Sequence, residues 1–186
     1  MARFYTTDTG FDCLIQVSHP ALSDRRGSLT RLFCKEELRE LGFDSDIAQI
    51  NLTHTAKAGT FRGFHYQVPP HSEIKMITCI RGEVQDIVID LRAGSATYLK
   101  HFSTVLSAEN ERSLIVPKGF AHGFQSLCDD CEMLYFHSAM HEPSSEAGVN
   151  YKDPRLSIQL PLEISCVSER DLSFALIDSN FRGISL

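Results

Sequence analysis

The chain has no apolar run near the roughly 20 residues that a membrane-spanning helix needs. Its first residues, Met-Ala-Arg-Phe-Tyr-Thr-Thr-Asp, carry no apolar stretch of the kind a secretory signal requires, so the expectation is a cytoplasmic protein with no membrane partner. Positive charge is scarce as well. Lys and Arg total 18 against 24 Asp and Glu, a formal charge of −6, which removes the basic surface on which non-specific nucleic-acid binding depends. An anionic small ligand stays open if a few cations focus potential in a cleft. Of the six cysteines, at 13, 34, 79, 128, 131 and 166, only Cys128 and Cys131 stand close together, which is no disulfide framework for a cytoplasmic chain. No second pair stands at zinc-finger spacing, so these two read as turn and strand cysteines. There is no internal repeat and no low-complexity tract. What remains, 186 residues that are 42% hydrophobic and 23% charged, is expected to form one globular domain over 1–186.

The texture along the chain is that of short strands. Residues 11–17 have strand composition, and His19-Pro20 with Ser23-Asp24 reads as a turn. Asp24-Arg25-Arg26-Gly27 then sets two adjacent guanidinium groups on a loop, either a solvated patch or a grip on phosphate. Leu38 and Leu41 at helical spacing, with Gly42 placed to stop the turn, predict a short helix over 35–41. From residue 46 the pattern alternates: Ile47, Gln49, Asn51 and Thr53 share one face, and Ala48, Ile50 and Leu52 the other. Residues 73–80 and 84–91 read as two apolar strands joined in a hairpin at Arg81-Gly82-Glu83. The first of these is apolar on both faces, so it belongs inside a sandwich or under a subunit partner, with Lys75 aimed into mostly apolar surroundings. Further strands are predicted at 98–107, 113–116, 123–127 and 131–137, then a loop after Met140 and a second short helix over 170–177. Many short strands with little helix predict an all-β sandwich or barrel.

The stretch 59–67, Gly-Thr-Phe-Arg-Gly-Phe-His-Tyr-Gln, concentrates chemistry. Arg62, His65 and Gln67 bring a cation, a titratable imidazole and an amide together beside two glycines that leave the backbone approachable. A cupin-type jelly roll often holds a metal through His-x-His in one segment and Pro-x-Gly-x-x-His in another. The second pattern is present as Pro117-Lys118-Gly119-Phe120-Ala121-His122, but the first is broken, because Gln67 stands where the second imidazole would be. No three-ligand metal site is expected. A mouth of His, Lys, Tyr and Arg suits proton transfer instead.

Several long segments in register now carry a resemblance. Arg62-Gly63-Phe64-His65-Tyr66-Gln67, residues 75–92, Leu106-Ser107-Ala108-Glu109-Asn110, residues 116–124 and Ser168-Glu169-Arg170-Asp171 follow one another as in the dTDP-4-dehydrorhamnose 3,5-epimerase family, which nearly the whole chain resembles. The resemblance implies an all-β, cupin-type jelly-roll fold with a few short helices. It also implies a homodimer acting on a nucleotide-diphosphate 4-keto-6-deoxyhexose without metal or cofactor. By the same resemblance His65 is the general base, Asp171 the carboxylate that orients it, Lys75 the group that stabilises the enolate oxygen and Tyr135 the acid on the far face. Arg62 and Arg26 match positions that grip the diphosphate, and His122, Gln49 and Asn51 match other pocket positions.

The chain also departs from the family pattern. Arg26-Gly27-Ser28-Leu29-Thr30-Arg31 replaces a common Arg-Gly-Phe-Phe-Phe-Glu, and Met140 stands where a Tyr is usual near the base. A guanidinium donates where a carboxylate accepts, so the expectation is an intact proton-transfer centre with a nucleotide other than dTDP, such as a cytidine or guanosine diphosphate, read by Arg31 and Met140. A keto-isomerase, a catalytically silent sugar-nucleotide binder and a metal-dependent cupin oxygenase remain as alternatives.

Overall fold

Residues 4–186 are described by a computed structural model. The chain opens with β1 (Tyr5–Asp8), β2 (Ile15–Ser18), the small hairpin β3 (Leu22–Asp24) and β4 (Gly27–Leu29), and the helix α1 (Lys35–Glu40). The central strands are β5 (Gln49–Thr55), β6 (Phe61–Gln67), β7 (Lys75–Arg81), β8 (Glu83–Asp90) and β9 (His101–Ser107). They are followed by β10 (Arg112–Val116), β11 (Phe120–Ser126), β12 (Cys131–His137), β13 (Glu146–Gly148) and the single-turn helix α2 (Glu169–Ser173). The strands make a six-stranded sheet in the order β1-β2-β10-β7-β12-β5 and a five-stranded sheet in the order β13-β6-β11-β8-β9, with antiparallel neighbours. This is the expected all-β jelly-roll sandwich with two short helices.

Three apolar layers explain why so many strands are hydrophobic on both faces. Between the sheets lie Ile77, Cys79, Val84, Val88, Leu114, Phe120, Phe124 and Met133. The outer face of the six-stranded sheet buries Met76, Ile115, Val17 and Phe136 under Leu38 of α1 and Phe43. The outer face of the five-stranded sheet buries Phe64, Ile87, Ile89 and Ala121 under the C-terminal segment, including Val149, Leu156, Val167 and Ile184. Strand β7 is therefore covered on its second face by the chain's own helix, and no subunit partner is required for that.

The hairpin expected at Arg81-Gly82-Glu83 does not form. β7 and β8 lie in different sheets, so Gly82 turns the chain from one layer to the other. The reason is packing: each strand has two apolar faces to cover, and a hairpin within one sheet leaves the opposite layer unbuilt. Gly82 has φ +75, and a Cβ there would meet the sulfurs of Cys131 and Cys128 at 2.8 and 2.9 Å. The Cys-x-x-Cys pair thus packs on this corner, its sulfurs 3.5 Å apart as free thiols, in agreement with a turn and strand role.

Boundaries elsewhere moved modestly. The strand expected over 11–17 shortens to Ile15–Ser18, since Cys13 sits at φ +64 in a turn closed by Thr9 Oγ1 on the Leu14 carbonyl. The second helix stops at Ser173, well before the expected 177. No helix among the described residues is long and apolar enough to cross a membrane.

Candidate active site

A cavity of about 550 Å³ opens between the two sheets, within the size range of small-ligand sites. One wall comes from the five-stranded sheet. There β6 supplies Arg62 and His65, and β11 sets His122 directly opposite His65 in register. The other wall comes from the six-stranded sheet, where Lys75, His137 and Gln49 stand abreast across β7, β12 and β5, with Ile77, Tyr135 and Asn51 in the next row. The polar face of β5 therefore lines the cavity, and its apolar face, Ile50 and Leu52, points outward.

His65 is held from the far end of the chain. Ser168 caps α2 by accepting the backbone N–H of Asp171 at 3.0 Å, which fixes the carboxylate at the helix start. Asp171 Oδ1 lies 2.8 Å from His65 Nε2, and Oδ2 accepts the Gly63 N–H at 3.0 Å. Burial alone raises this carboxyl's pKa, but the hydrogen bonds from His65 and Gly63 outweigh it and hold the pKa down at about 2. An ionised carboxylate only accepts, so Nε2 carries the hydrogen and Nδ1 is left to take up a proton. Arg170 Nη2 lies 3.0 Å from the same Nε2, a contact between two N–H groups and not a hydrogen bond, and the guanidinium donates through Nη1 to Glu146 at 3.0 Å.

On the facing wall Tyr135 is buried, its ring edge-on to His122 and stacked on His137, each at 6.0 Å between centroids. Burial pushes its phenol well above the ordinary range, so it stays protonated. Lys75 Nζ lies 3.1 Å from Glu73 Oε1, and Glu73 Oε2 lies 2.8 Å from His137 Nδ1. His122 is bonded to the fully buried Asp86 at 2.8 Å. Arg62 donates to Thr55 Oγ1 at 3.1 Å and to the His54 carbonyl at 3.2 Å. It has no carboxylate partner among the described residues, so it is the wall cation least neutralised and best placed for an anionic ligand. Gln49 donates to Asn51 and accepts the His141 N–H at 3.1 Å, tying β5 to the loop beyond β12.

The structure thus gathers His65, Asp171, Tyr135, Lys75, Arg62, His122, Gln49 and Asn51 at one cavity. It does not bring Arg26, Arg31 or Met140 into it. Arg26 pairs with Asp24 at the tip of the exposed β3–β4 hairpin, Arg31 pairs with Glu37 of α1 at 2.6 Å, and Met140 is 63% exposed. Gln67, standing in place of a metal-binding imidazole, clips the loop that follows β12: its Nε2 donates to the His71 and Met140 carbonyls, and its Oε1 accepts the Glu142 N–H at 2.7 Å. Among the described residues no group of three His, Cys, Asp or Glu is arranged to hold a metal ion.

Sequence reasoning passed over Glu73, His137, His141, Glu146 and Arg170, all of which line the cavity. The period of two gave a usable signal for the first pair. Glu73 is two residues before Lys75 and His137 two after Tyr135, so each shares a face with a residue already singled out.

The family model for dTDP-4-dehydrorhamnose 3,5-epimerase matches residues 9–179. The dTDP-4-dehydrorhamnose 3,5-epimerase of Methanothermobacter thermautotrophicus is 32% identical over 183 residues, covering 97% of this chain and 98% of that protein. The dTDP-6-deoxy-D-glucose-3,5-epimerase of Legionella pneumophila, solved with dTDP-4-keto-L-rhamnose, superposes with a TM-score of 0.90 at 31% identity, covering 98% of each chain. A 3'-monoepimerase from Streptomyces bikiniensis, solved with dTDP-quinovose, superposes with a TM-score of 0.82 at 31% identity, covering 89% of this chain and 84% of that one. With the motifs in register, the jelly roll and the carboxylate-held imidazole all in agreement, the chain belongs to the dTDP-4-dehydrorhamnose 3,5-epimerase family.

Proposed function

We propose that the protein, acting as a single domain, inverts C3, C5 or both in a nucleotide-diphosphate 4-keto-6-deoxyhexose. Hydrogens on these carbons are acidified by the C4 ketone, so removing one leaves an enolate, and returning a proton from the opposite face inverts the centre. The observation that carries this reading is the His65–Asp171 pair at 2.8 Å across a cavity from Tyr135 and Lys75. His65 Nδ1 takes the proton, and Asp171 stabilises the imidazolium that results. Lys75 faces the oxygen on which the enolate charge develops. Tyr135, protonated by virtue of its burial, returns a proton from the far side. Arg62 receives the diphosphate with a fork of donors suited to it, and His122, Gln49 and Asn51 complete the sugar contacts.

Arg26 and Arg31 lie outside the cavity of their own chain, so their proposed ligand role is exercised on the cavity of a second copy. A homodimer is supported by the uncovered apolar side of edge strand β5 and by Leu22 and Leu29 on the β3–β4 hairpin, each at least half exposed. The six free cysteines fit a reducing cytoplasm. The base is set apart from the chemistry. Leu29, Arg31 and Met140 replace the family's usual residues, and competition among dTDP, CDP and GDP tests whether thymine is still preferred; a clear dTDP preference ends the expectation of another base.

Turnover of the 4-keto sugar nucleotide in deuterated water tests the reaction. Label at C3 and C5 marks a double epimerase. Label at one carbon marks a mono-epimerase, the reading that the similarity to the Streptomyces bikiniensis enzyme keeps in view. No label at either carbon refutes the proposal and leaves a binding protein.

A further inference from the structure

Four imidazoles line the cavity, and three of them are held by a carboxylate at 2.8 Å: His65 by Asp171, His122 by Asp86 and His137 by Glu73. Two of them share the five-stranded wall. His137 alone stands on the six-stranded wall, beside Tyr135 and abreast of Lys75. From this placement we propose that His137, oriented by Glu73, is a second proton donor for the reaction proposed above, acting on the sugar face opposite His65. The inference rests on that epimerase reading.

The local geometry fixes what the ring can do. Glu73 is largely buried and accepts from two partners, Lys75 Nζ at 3.1 Å and His137 Nδ1 at 2.8 Å. Burial alone pushes its carboxyl pKa up, but the His137 hydrogen bond and the Lys75 charge outweigh it, so the group stays ionised. Nδ1 therefore keeps its hydrogen, and the exchangeable position is Nε2, 3.4 Å from Asn51 Nδ2 at the cavity surface. A neutral ring accepts the Asn51 amide hydrogen there; a protonated one has no acceptor in that nitrogen, so its Nε2–H is left for a ligand in the cavity.

The charged and titratable groups facing the ring are Glu73 and Lys75 from the β7 side and Tyr135 on its own strand, while β5 presents only the amides of Gln49 and Asn51. Glu73 and Lys75 offset each other, so a proton on His137 adds one positive charge beside the forming enolate. The step balances without another reagent. His65 Nδ1 takes the proton from carbon as the C–H pair becomes the enolate. The enolate pair then takes the proton from His137 Nε2, the imidazolium returns to neutral, and water exchanges both rings back. An imidazolium is also a stronger acid than the buried phenol next to it, so it contributes where Tyr135 is a reluctant donor.

The test separates loss of the carbon-bound hydrogen from inversion. The probe is the 4-keto sugar nucleotide in deuterated water, with label in recovered substrate and formation of inverted product measured together. In His137→Gln, inverted product is expected to fall at least ~10-fold while label uptake, driven by His65, changes less than ~3-fold. Glu73→Gln, which keeps the side-chain shape, gives the same split. In a Tyr135→Phe background, His137→Gln lowers the residual inversion at least a further ~10-fold. Parallel loss of label uptake and product in both single variants, or unchanged product in His137→Gln, overturns the second donor and leaves the epimerase reading standing. A wild type that places no label in either recovered substrate or product overturns the epimerase reading itself and the second donor with it.

Discussion

His65 and Asp171 are 106 positions apart in sequence and 2.8 Å apart in space. Substituting His65 by Asn removes the proposed base while keeping a polar group of similar reach, so product formation and label uptake are both expected to fall by about 10²–10⁴-fold, with nucleotide affinity retained. Lys75→Met is expected to cost on the order of 10²–10³ in kcat, by loss of the proposed donor to the enolate oxygen. Asp171 also links the site to stability. Its pKa lies at about 2 in the folded chain, below the usual ~3.9 of an unfolded Asp. The ionised form is therefore bound more tightly by the native state, and this stabilisation is fully present above about pH 4 and lost as pH falls through about 2. Its size is about 2 kcal/mol. In Asp171→Asn, denaturant midpoints measured from pH 6 down to pH 2 are expected to fall less steeply than in the wild type. An unchanged slope would show that the carboxylate has no such role. At this scale the sequence was readable where chemistry was dense, as at Arg62, His65 and Lys75. For Glu73 and His137 the period of two shows only that each shares a face with Lys75 or Tyr135; that the acid and the imidazole, 64 residues apart, bond to each other becomes visible only once β7 and β12 pair.

The elements are legible where apolar residues are dense. β5 alternates, β7 and β8 are apolar on both faces, and these strands, with β11 and β12, lie within a few residues of where they are expected. β1 and β13 were not, since Tyr-Thr-Thr-Asp and Glu-Ala-Gly are short edge segments with almost no apolar pattern. Which sheet a strand joins was illegible at Gly82, because a turn between two-faced strands reads the same whether it closes a hairpin or changes layers. Gly63 shows what such contacts demand. It sits at φ +134 on β6, and a Cβ there would come within 2.6 Å of the Gly123 Cα on β11. The approach brings His65 into register with His122 and the Gly63 N–H onto Asp171. Gly63→Ala is expected to cost about 1–3 kcal/mol, through overpacking between two backbones that side-chain motion cannot relieve. The loss is to be read as a lower denaturant midpoint at unchanged m-value. A Gly63→Ala protein of wild-type stability would mean that β6 and β11 separate more easily than their spacing implies.

For the whole molecule, the unsettled residues are those that the single chain leaves outside its own cavity. The β3–β4 hairpin carries Arg26 out into solvent, with Leu29 68% exposed, and β5 leaves Ile50 and Leu52 uncovered at the sheet edge. No sequence pattern tells whether a side chain lies at its own chain's cavity, and the structure pairs Arg26 with Asp24 and Arg31 with Glu37 instead. In the homodimer proposed above, a twofold axis uses one patch twice, so a hairpin that reaches its partner's cavity does so at both sites. Arg26→Ala and His65→Asn should then each be nearly inactive alone and complement when co-expressed. A mixed dimer holds one site with an intact base and an intact guanidinium, and one site with neither. Random pairing makes half the dimers mixed, so about a quarter of all sites should work. If Arg26 acts within its own chain, every site in the mixture lacks one group or the other and no activity returns. The dimer itself is tested by sedimentation, with Ile50→Asp and Leu52→Asp expected to shift the protein toward the monomer. A monomeric wild type at working concentration would remove the partner's hairpin from the site and, with it, the ligand role of Arg26.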